Sequence, residues 1–262
     1  MGRLSQDELK ENVAKKTLQW SSQEEKFKYY NKDTKENEFV DLPFNFVVLE
    51  KDYVSFNGFS DEKQKGFWSN EVKNATDVVT IRCGSEIIAT FKKEDWNPKD
   101  KTKPAVKDRP ELKGCNYTQI LYIASKLEDD TKQTIYRLML MKSPFSGGIT
   151  IDKKTGKEHP GQEKDGWIRF LNTIPGGRNA AYTNSFTVKD CKIKKNGAVS
   201  YVIPVFSSTP LEDGAEYDEM AKEVEEWFKY YNAKSKEDLH TTETSDTTEP
   251  EYAEQLPWED NK

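Results

Sequence analysis

Aromatic rings and cations alternate through the middle of this chain. Phe56, Phe59, Phe67, Trp68, Trp96, Trp167, Phe170, Tyr182 and Phe186 are interleaved with Lys63, Lys65, Lys73, Arg82, Lys92, Lys93, Arg169 and Arg178. A ring offers a flat face on which a base stacks, at roughly 1–3 kcal/mol per base. A cation neutralises a phosphate, so the two together hold an unpaired nucleic-acid strand without reading its sequence. A β-rich body also needs rings inside, and about two thirds of these rings are expected in the core. Trp68, Trp96 and Tyr182 adjoin polar or Gly-rich stretches and are the expected stacking surfaces. With Phe67, Lys65, Lys73, Arg82, Lys92, Lys93, Arg169 and Arg178 they form the candidate nucleic-acid-binding set. Phe44, Phe46, Phe91 and Phe206 fall on strand faces and are expected in the core.

Covalent and metal chemistry finds less to work with. His159 and His240 are the two histidines, and neither stands at ligand spacing from Cys83, Cys115 or Cys191, which argues against zinc. Gly-x-Ser-x-Gly and the phosphate-cradling Gly-Lys-Ser/Thr loop are both absent. A carboxylate-metal nuclease is the nearest enzymatic pattern, from Glu71-Val72-Lys73 after Asp52 and Asp61. A Glu-x-Lys triplet arises readily in a lysine-rich chain, so no catalytic residue and no cofactor is assigned.

The elements that must position these residues are mostly strands. FNFVVLE (44–50), YVSFNGF (53–59), DVVTIRC (77–83), EIIATFKK (86–93), YTQILYIAS (117–125), TIYRLMLMK (134–142), WIRFL (167–171), YTNSFTVKD (182–190) and VSYVIPVF (199–206) read as short strands. Gly84-Ser85 is a two-residue hairpin signal, LEDDTK (127–132) a polar turn and Asn196-Gly197 a further turn. Long loops are expected at 93–114, 143–166 and 172–181, the first carrying three prolines and seven basic residues. Before the strands, Ser5 and Glu8 resemble a helix cap, and residues 4–20 are read as a helix with a ragged apolar face. Residues 21–41 are read as loop or fraying helix. After the strands, Tyr217, Met220, Ala221, Val224, Trp227, Phe228 and Tyr231 recur at three- and four-residue spacing, an amphipathic helix over 213–231.

Composition agrees with a folded body and a solvated tail. Hydrophobic residues are 34% and charged residues 33%, polar for a globular chain of 262 residues. The net charge of −6 is uneven: 236–262 carries −7 and 211–235 carries −5, which leaves +6 on 1–210. A basic body beside an acidic arm points to a polyanion partner. No apolar run is long enough to span a bilayer, and the N-terminus has no apolar signal region. Three widely spaced cysteines suit a reducing cytosol better than a disulfide framework.

The chain closes on EQLPWEDNK (254–262), an apolar cluster set among acids. This acidic arm with a hydrophobic-Pro-aromatic tip resembles the tail of bacterial and phage single-stranded DNA-binding proteins. The resemblance implies that Leu256, Pro257 and Trp258 dock replication or recombination partners, flanked by Glu249, Glu251, Glu254, Glu259 and Asp260. In the bacterial tails the aromatic group comes last, whereas here Glu-Asp-Asn-Lys follows Trp258. LPFNFVVLEKDYVSFNGFSDEKQKGFWSNEV (42–72) and FTVKDCKIKKNGAVSYVIPVF (186–206) are similar to phage-encoded proteins of the same class. That similarity implies an oligonucleotide-binding (OB) five-stranded barrel with elaborations, although the strand pattern alone fits a β-sandwich equally.

The expected organisation is a helical or extended segment over 1–41, an OB-like antiparallel β-barrel with long loop insertions over 42–210, an amphipathic helix packed on it over 211–233, and a disordered acidic tail over 234–262. The expected function is sequence-independent single-stranded DNA binding in phage-type replication or recombination, without enzymatic activity or membrane insertion. The expected location is the cytoplasm, that of the host cell if the protein is phage-encoded. The alternative is a virion-associated or protein-interaction β protein that binds no nucleic acid.

Overall fold

The computed structural model describes residues 12–100, 102–127, 131–146, 149–151, 158–160, 165–196 and 199–241. In chain order the elements are β1 (Thr17–Ser21), β2 (Lys26–Asn31), β3 (Glu36–Val40), β4 (Phe44–Ser60), β5 (Lys65–Ser69), β6 (Val78–Cys83), β7 (Glu86–Lys92), β8 (Cys115–Ser125), β9 (Thr134–Met141), α1 (Lys142–Ser146), β10 (Ile149–Ile151), β11 (Glu158–Pro160), α2 (Trp167–Thr173), β12 (Asn184–Asn196), β13 (Val199–Pro210) and α3 (Ala215–Thr241). Eleven strands form one sheet, with a path β3-β2-β1-β9-β8-β4-β5-β6-β7 and with β12 joining β4 to β13. Its outermost strands on that path, β3 and β7, are not paired with each other, so the sheet does not close into the expected barrel. Nor is it purely antiparallel, because β1 runs parallel to β9 with Leu18 opposite Leu138.

Two sequence expectations fail at the N-terminal side. Residues 17–21 form a strand where a helix was expected, and 26–40 form a hairpin where loop was expected. In KFKYYN the buried Phe27 and Tyr29 alternate with outward Lys26, Lys28 and Tyr30, the two-residue period of a half-buried strand. WIRFL is the reverse case. It forms α2, which buries Trp167, Phe170 and Leu171, spaced three and four residues apart on one helical face. The Gly84-Ser85 hairpin, the β8–β9 turn and the C-terminal helix form as read, although α3 runs on to Thr241. Cys83, Cys115 and Cys191 are all free thiols.

The central pair β4–β8 organises three cores. On β8, Leu121 and Ile123 join Phe44, Phe46, Phe186, Trp167 and Phe206 in the first core. Cys115 and Tyr117 join Phe56, Phe67, Ile81, Phe91 and Trp96 in the second. These odd positions share one face of the strand, and Gln119 falls between the two cores. The even positions Ile120, Tyr122 and Ala124 face the other way and meet Val224, Trp227 and Phe228 of α3 in the third. The amphipathic helix thus covers one side of the sheet, and Phe228 stacks on Tyr53 with ring centroids 3.6 Å apart.

Strands β4 and β8 approach very closely at their ends. A Cβ placed on Gly58 would lie 2.0 Å from the Gly114 carbonyl oxygen, and one on Gly114 would lie 2.1 Å from that of Phe59. Neither clash falls on a flexible side-chain end, so the backbones themselves must part. Gly58→Ala is therefore expected to cost about 3 kcal/mol, the upper part of the overpacking range, read from the urea midpoint at unchanged slope.

Candidate nucleic-acid interface

Strand β4 is where the candidate site is made. The sequence reads as two strands, 44–50 and 53–59, but one 17-residue strand runs through. Its register against β8 shifts between Val48 and Glu50 and again between Glu50 and Tyr53. The bulge puts Lys51 and Asp52 out of the ladder, which frees their amide hydrogens. Glu50 takes them up. Its Oε1 accepts from Lys51 N at 2.8 Å, Asp52 N at 2.9 Å and the Tyr182 hydroxyl at 3.1 Å. Its Oε2 accepts from Lys73 Nζ at 2.6 Å. Gln119 Nε2 closes the bulge from β8 by donating to the carbonyls of Lys51 and Tyr53.

Beside the bulge the outer edge of β4 is open. It pairs with β12 over 44–47 and with β5 over 58–60, and between them carries only the Val54–Val72 bridge. In that gap lies a polar cleft of about 380 Å³, lined by Asp52, Lys73, Asn74, Lys93, Tyr117, Gln119 and Arg178. Lys73 follows the bridge, Lys93 follows β7, and Arg178 comes from the turn Gly177–Tyr182. The loops at 93–114 and 172–181 therefore border one cleft with a ring in its wall. Tyr182 sits beside it, 40% exposed, with the Lys51 ammonium 4.9 Å from its ring centre.

The charges divide into paired and free. Lys51 pairs with Asp52 at 2.9 Å and Lys73 with Glu50 at 2.6 Å. Asp77 accepts from the backbone N–H groups of Lys73 and Asn74 at 3.0 and 2.7 Å. Lys93 donates to the Lys73 carbonyl at 2.5 Å. Neither Lys93 nor Arg178 has an ion-pair partner among the described residues. Burial pushes the Lys93 pKa below its ordinary value, partly offset by Asp77 and Asp52. For Tyr182, burial and the Glu50 charge push the phenol well above its ordinary value, so it stays a neutral donor.

Glu50 has a pH signature. Burial raises its pKa, but the Lys73 hydrogen bond, the amides of Asp52 and Lys51 and the Lys73 charge outweigh that and hold it below the ordinary 4.5. A lowered carboxylate contributes stability that is complete above pH 4.5 and is lost as pH falls through the folded-state value. Glu50→Gln is expected to be less stable at neutral pH and to lose less on acidification than the unmodified chain. Urea midpoints measured from pH 7 down to about pH 3 check this; parallel curves for the two proteins would contradict it.

The remaining candidates divide between core and outer surface. Phe67 and Trp96 are core residues, 0% and 8% exposed, and cannot stack on a base. A 3-10 turn over Lys93–Trp96 folds the indole onto Phe56, 4.7 Å away, and Phe91. Trp96→Ala should accordingly cost about 3–5 kcal/mol of stability and leave oligonucleotide affinity unchanged in a titration of folded protein. Of the nine rings in the interleaved set, Phe56, Phe67, Trp96, Trp167, Phe170 and Phe186 are buried. Trp68 is half-buried on the outer face of β5, where its Nε1 donates to the Gly84 carbonyl at 3.1 Å. Arg82 lies opposite on β6, 5.6 Å from the indole centre, and Lys65 and Lys92 are exposed on the neighbouring strands. These four form a separate ring-and-cation patch outside the cleft. Arg169 belongs to α2, half-buried, with Nη1 lacking a hydrogen-bond partner among the described residues. Leu256, Pro257 and Trp258 lie outside the described residues.

Sequence reasoning passed over Glu50, Lys51, Asp52, Asn74, Tyr117 and Gln119. The signal for three of them is in the sequence: Glu-Lys-Asp interrupts two apolar runs with no Gly or Pro to turn the chain, as a bulge does. The nuclease pattern does not assemble. Glu71 is held by Arg137 and Tyr122, and Asp61 sits in the β4–β5 turn. A larger hollow of about 610 Å³ beside Phe39, Pro43 and Leu127 is lined by one cation, Lys126, and one carboxylate, Asp41, so it offers no cationic array. None of the helices described is long and apolar enough to cross a membrane.

Comparison with protein families, curated proteins and solved structures returns no match. The functional reading therefore rests on the chain's own residues within a mainly β fold built on one mixed sheet.

Proposed function

We propose that this protein binds single-stranded DNA without regard to sequence, along the cleft at the β4 bulge. The observation that carries the reading is the meeting of Lys73, Lys93, Arg178 and Tyr117 in one cleft, with Tyr182 beside it, from segments far apart in sequence. Cations on the walls neutralise phosphates, and Tyr182 offers a face for a base. Strands β8-β4-β5-β6-β7, five in antiparallel order around their own core, support an OB-like role for that lobe. The outer patch of Trp68 and Arg82 gives the strand a second place to run. The acidic C-terminal arm, with Leu256, Pro257 and Trp258, would dock replication or recombination partners in the cytoplasm of a phage-infected cell.

The burial of Phe67 and Trp96 favours a second reading, a virion-associated or protein-interaction β protein whose rings serve its core. Fluorescence anisotropy with labelled oligo-dT separates the two. The first reading expects binding at about 50 mM salt that weakens steeply as salt rises, by the full chain and by a chain lacking 242–262. Absence of binding by both would leave the second.

A further inference from the structure

Lys93 stands out among the cations of the cleft. Its ammonium is drawn half out of water, yet it is given one backbone carbonyl and no carboxylate within ion-pair distance among the described residues. A desolvated cation with so few acceptors is costly unless an anion completes its shell. Burial accordingly lowers its pKa. The neighbouring charges do not supply that anion. Asp52 is engaged by Lys51, Glu50 by Lys73, and Asp77 by two backbone amides. Arg178, on the facing turn, is exposed and likewise lacks an ion-pair partner among the described residues. Its planar fork of N–H donors suits a tetrahedral oxyanion better than a point charge does. The cleft that both residues line is about 380 Å³, the scale of one nucleotide rather than of an extended strand.

We infer that the cleft is a phosphate pocket in its own right, in which Lys93 and Arg178 clamp a single phosphate group and the Lys73–Glu50 pair forms the wall. This rests on the reading of the cleft as the polyanion site and sharpens it. One phosphate of the bound strand is held there specifically, and the others are only screened. An isolated phosphate therefore saturates the pocket.

Amide NMR of the full chain, titrated with inorganic phosphate at constant ionic strength, tests this. Saturable shifts are expected at Lys73, Asn74, Lys93 and Arg178, with a Kd on the order of 1 mM. Lys93→Gln and Arg178→Gln should each weaken the response at least tenfold, while Lys229→Gln on α3 leaves it unchanged. Arg178 is exposed, so its variant keeps the experiment decisive even if the Lys93 variant folds poorly. Phosphate should also displace labelled oligo-dT, where chloride of equal ionic strength does not. If oligo-dT binds while phosphate gives no saturable shifts, the pocket is refuted and the polymer reading survives. If neither binds, both fall. Equal phosphate binding by the Arg178 variant would overturn the clamp.

Discussion

Replacing Lys93 and Arg178 together by Gln is expected to weaken oligo-dT binding on the order of 100-fold at about 50 mM salt. A hydrogen bond to a charged group contributes about 1.5–3 kcal/mol, and about 1.4 kcal/mol is a factor of ten, so each lost cation accounts for at least tenfold. The salt dependence should change as well. Each phosphate released from a single strand removes about 0.7 from the slope of log K against log salt, so the double variant should lose about 1.4. Stability should be little altered, because Arg178 is exposed and the Lys93 ammonium serves only a neighbouring carbonyl. Lys222→Gln with Lys229→Gln makes the same charge change on α3, remote from the cleft, and should leave affinity and slope near those of the unmodified chain. Equal losses in both pairs would mean that net charge, rather than the cleft, governs binding.

The second large effect concerns the frame behind the cleft. Arg137 on β9 pairs with Glu71 at 2.5 Å, with side chains only 16% and 12% exposed, and Tyr122 donates to the same carboxylate at 3.1 Å. Glu71 lies two residues before Lys73, so this pair fastens the segment that delivers Lys73 to the cleft. Glu71→Leu alone strands a buried guanidinium and should cost about 3–5 kcal/mol. Glu71→Leu with Arg137→Met removes both charges and should recover most of that loss, since apolar replacement of a buried pair is often neutral or better. Urea denaturation of the three variants measures this as a cycle. A single variant costing under about 1 kcal/mol would place the pair among exposed bridges of little consequence.

The sequence made most of the sheet legible and the site only in part. Period-two runs such as VVTIRC and YTQILYIAS state their own conformation, and the three- and four-residue spacing of α3 does the same. KFKYYN alternates just as clearly, but its lysines and position among polar turns hide the strand. WIRFL is apolar and short, and only the spacing of Trp167, Phe170 and Leu171 marks it as helix. For the site, parity decided what composition could not. Phe67 and Trp68 are adjacent, one sealed and one on the outer face, because neighbours in a strand point oppositely. Trp96 belongs to a loop full of prolines and lysines, yet a turn of 3-10 helix carries its ring into the core. Lys73, Lys93 and Arg178 were legible as cations but not as neighbours, since only the fold brings the gap in β4, the end of β7 and the turn after α2 together.

The most direct test of the central claim is ultraviolet cross-linking of bromodeoxyuridine-substituted single-stranded DNA to the full chain, with the attachment sites read by mass spectrometry. Cross-links at Tyr117 and Tyr182, and on the peptides carrying Lys93 and Arg178, are the predicted result. Attachment confined to other surfaces, or none at low salt, would contradict the placement of the strand in the cleft.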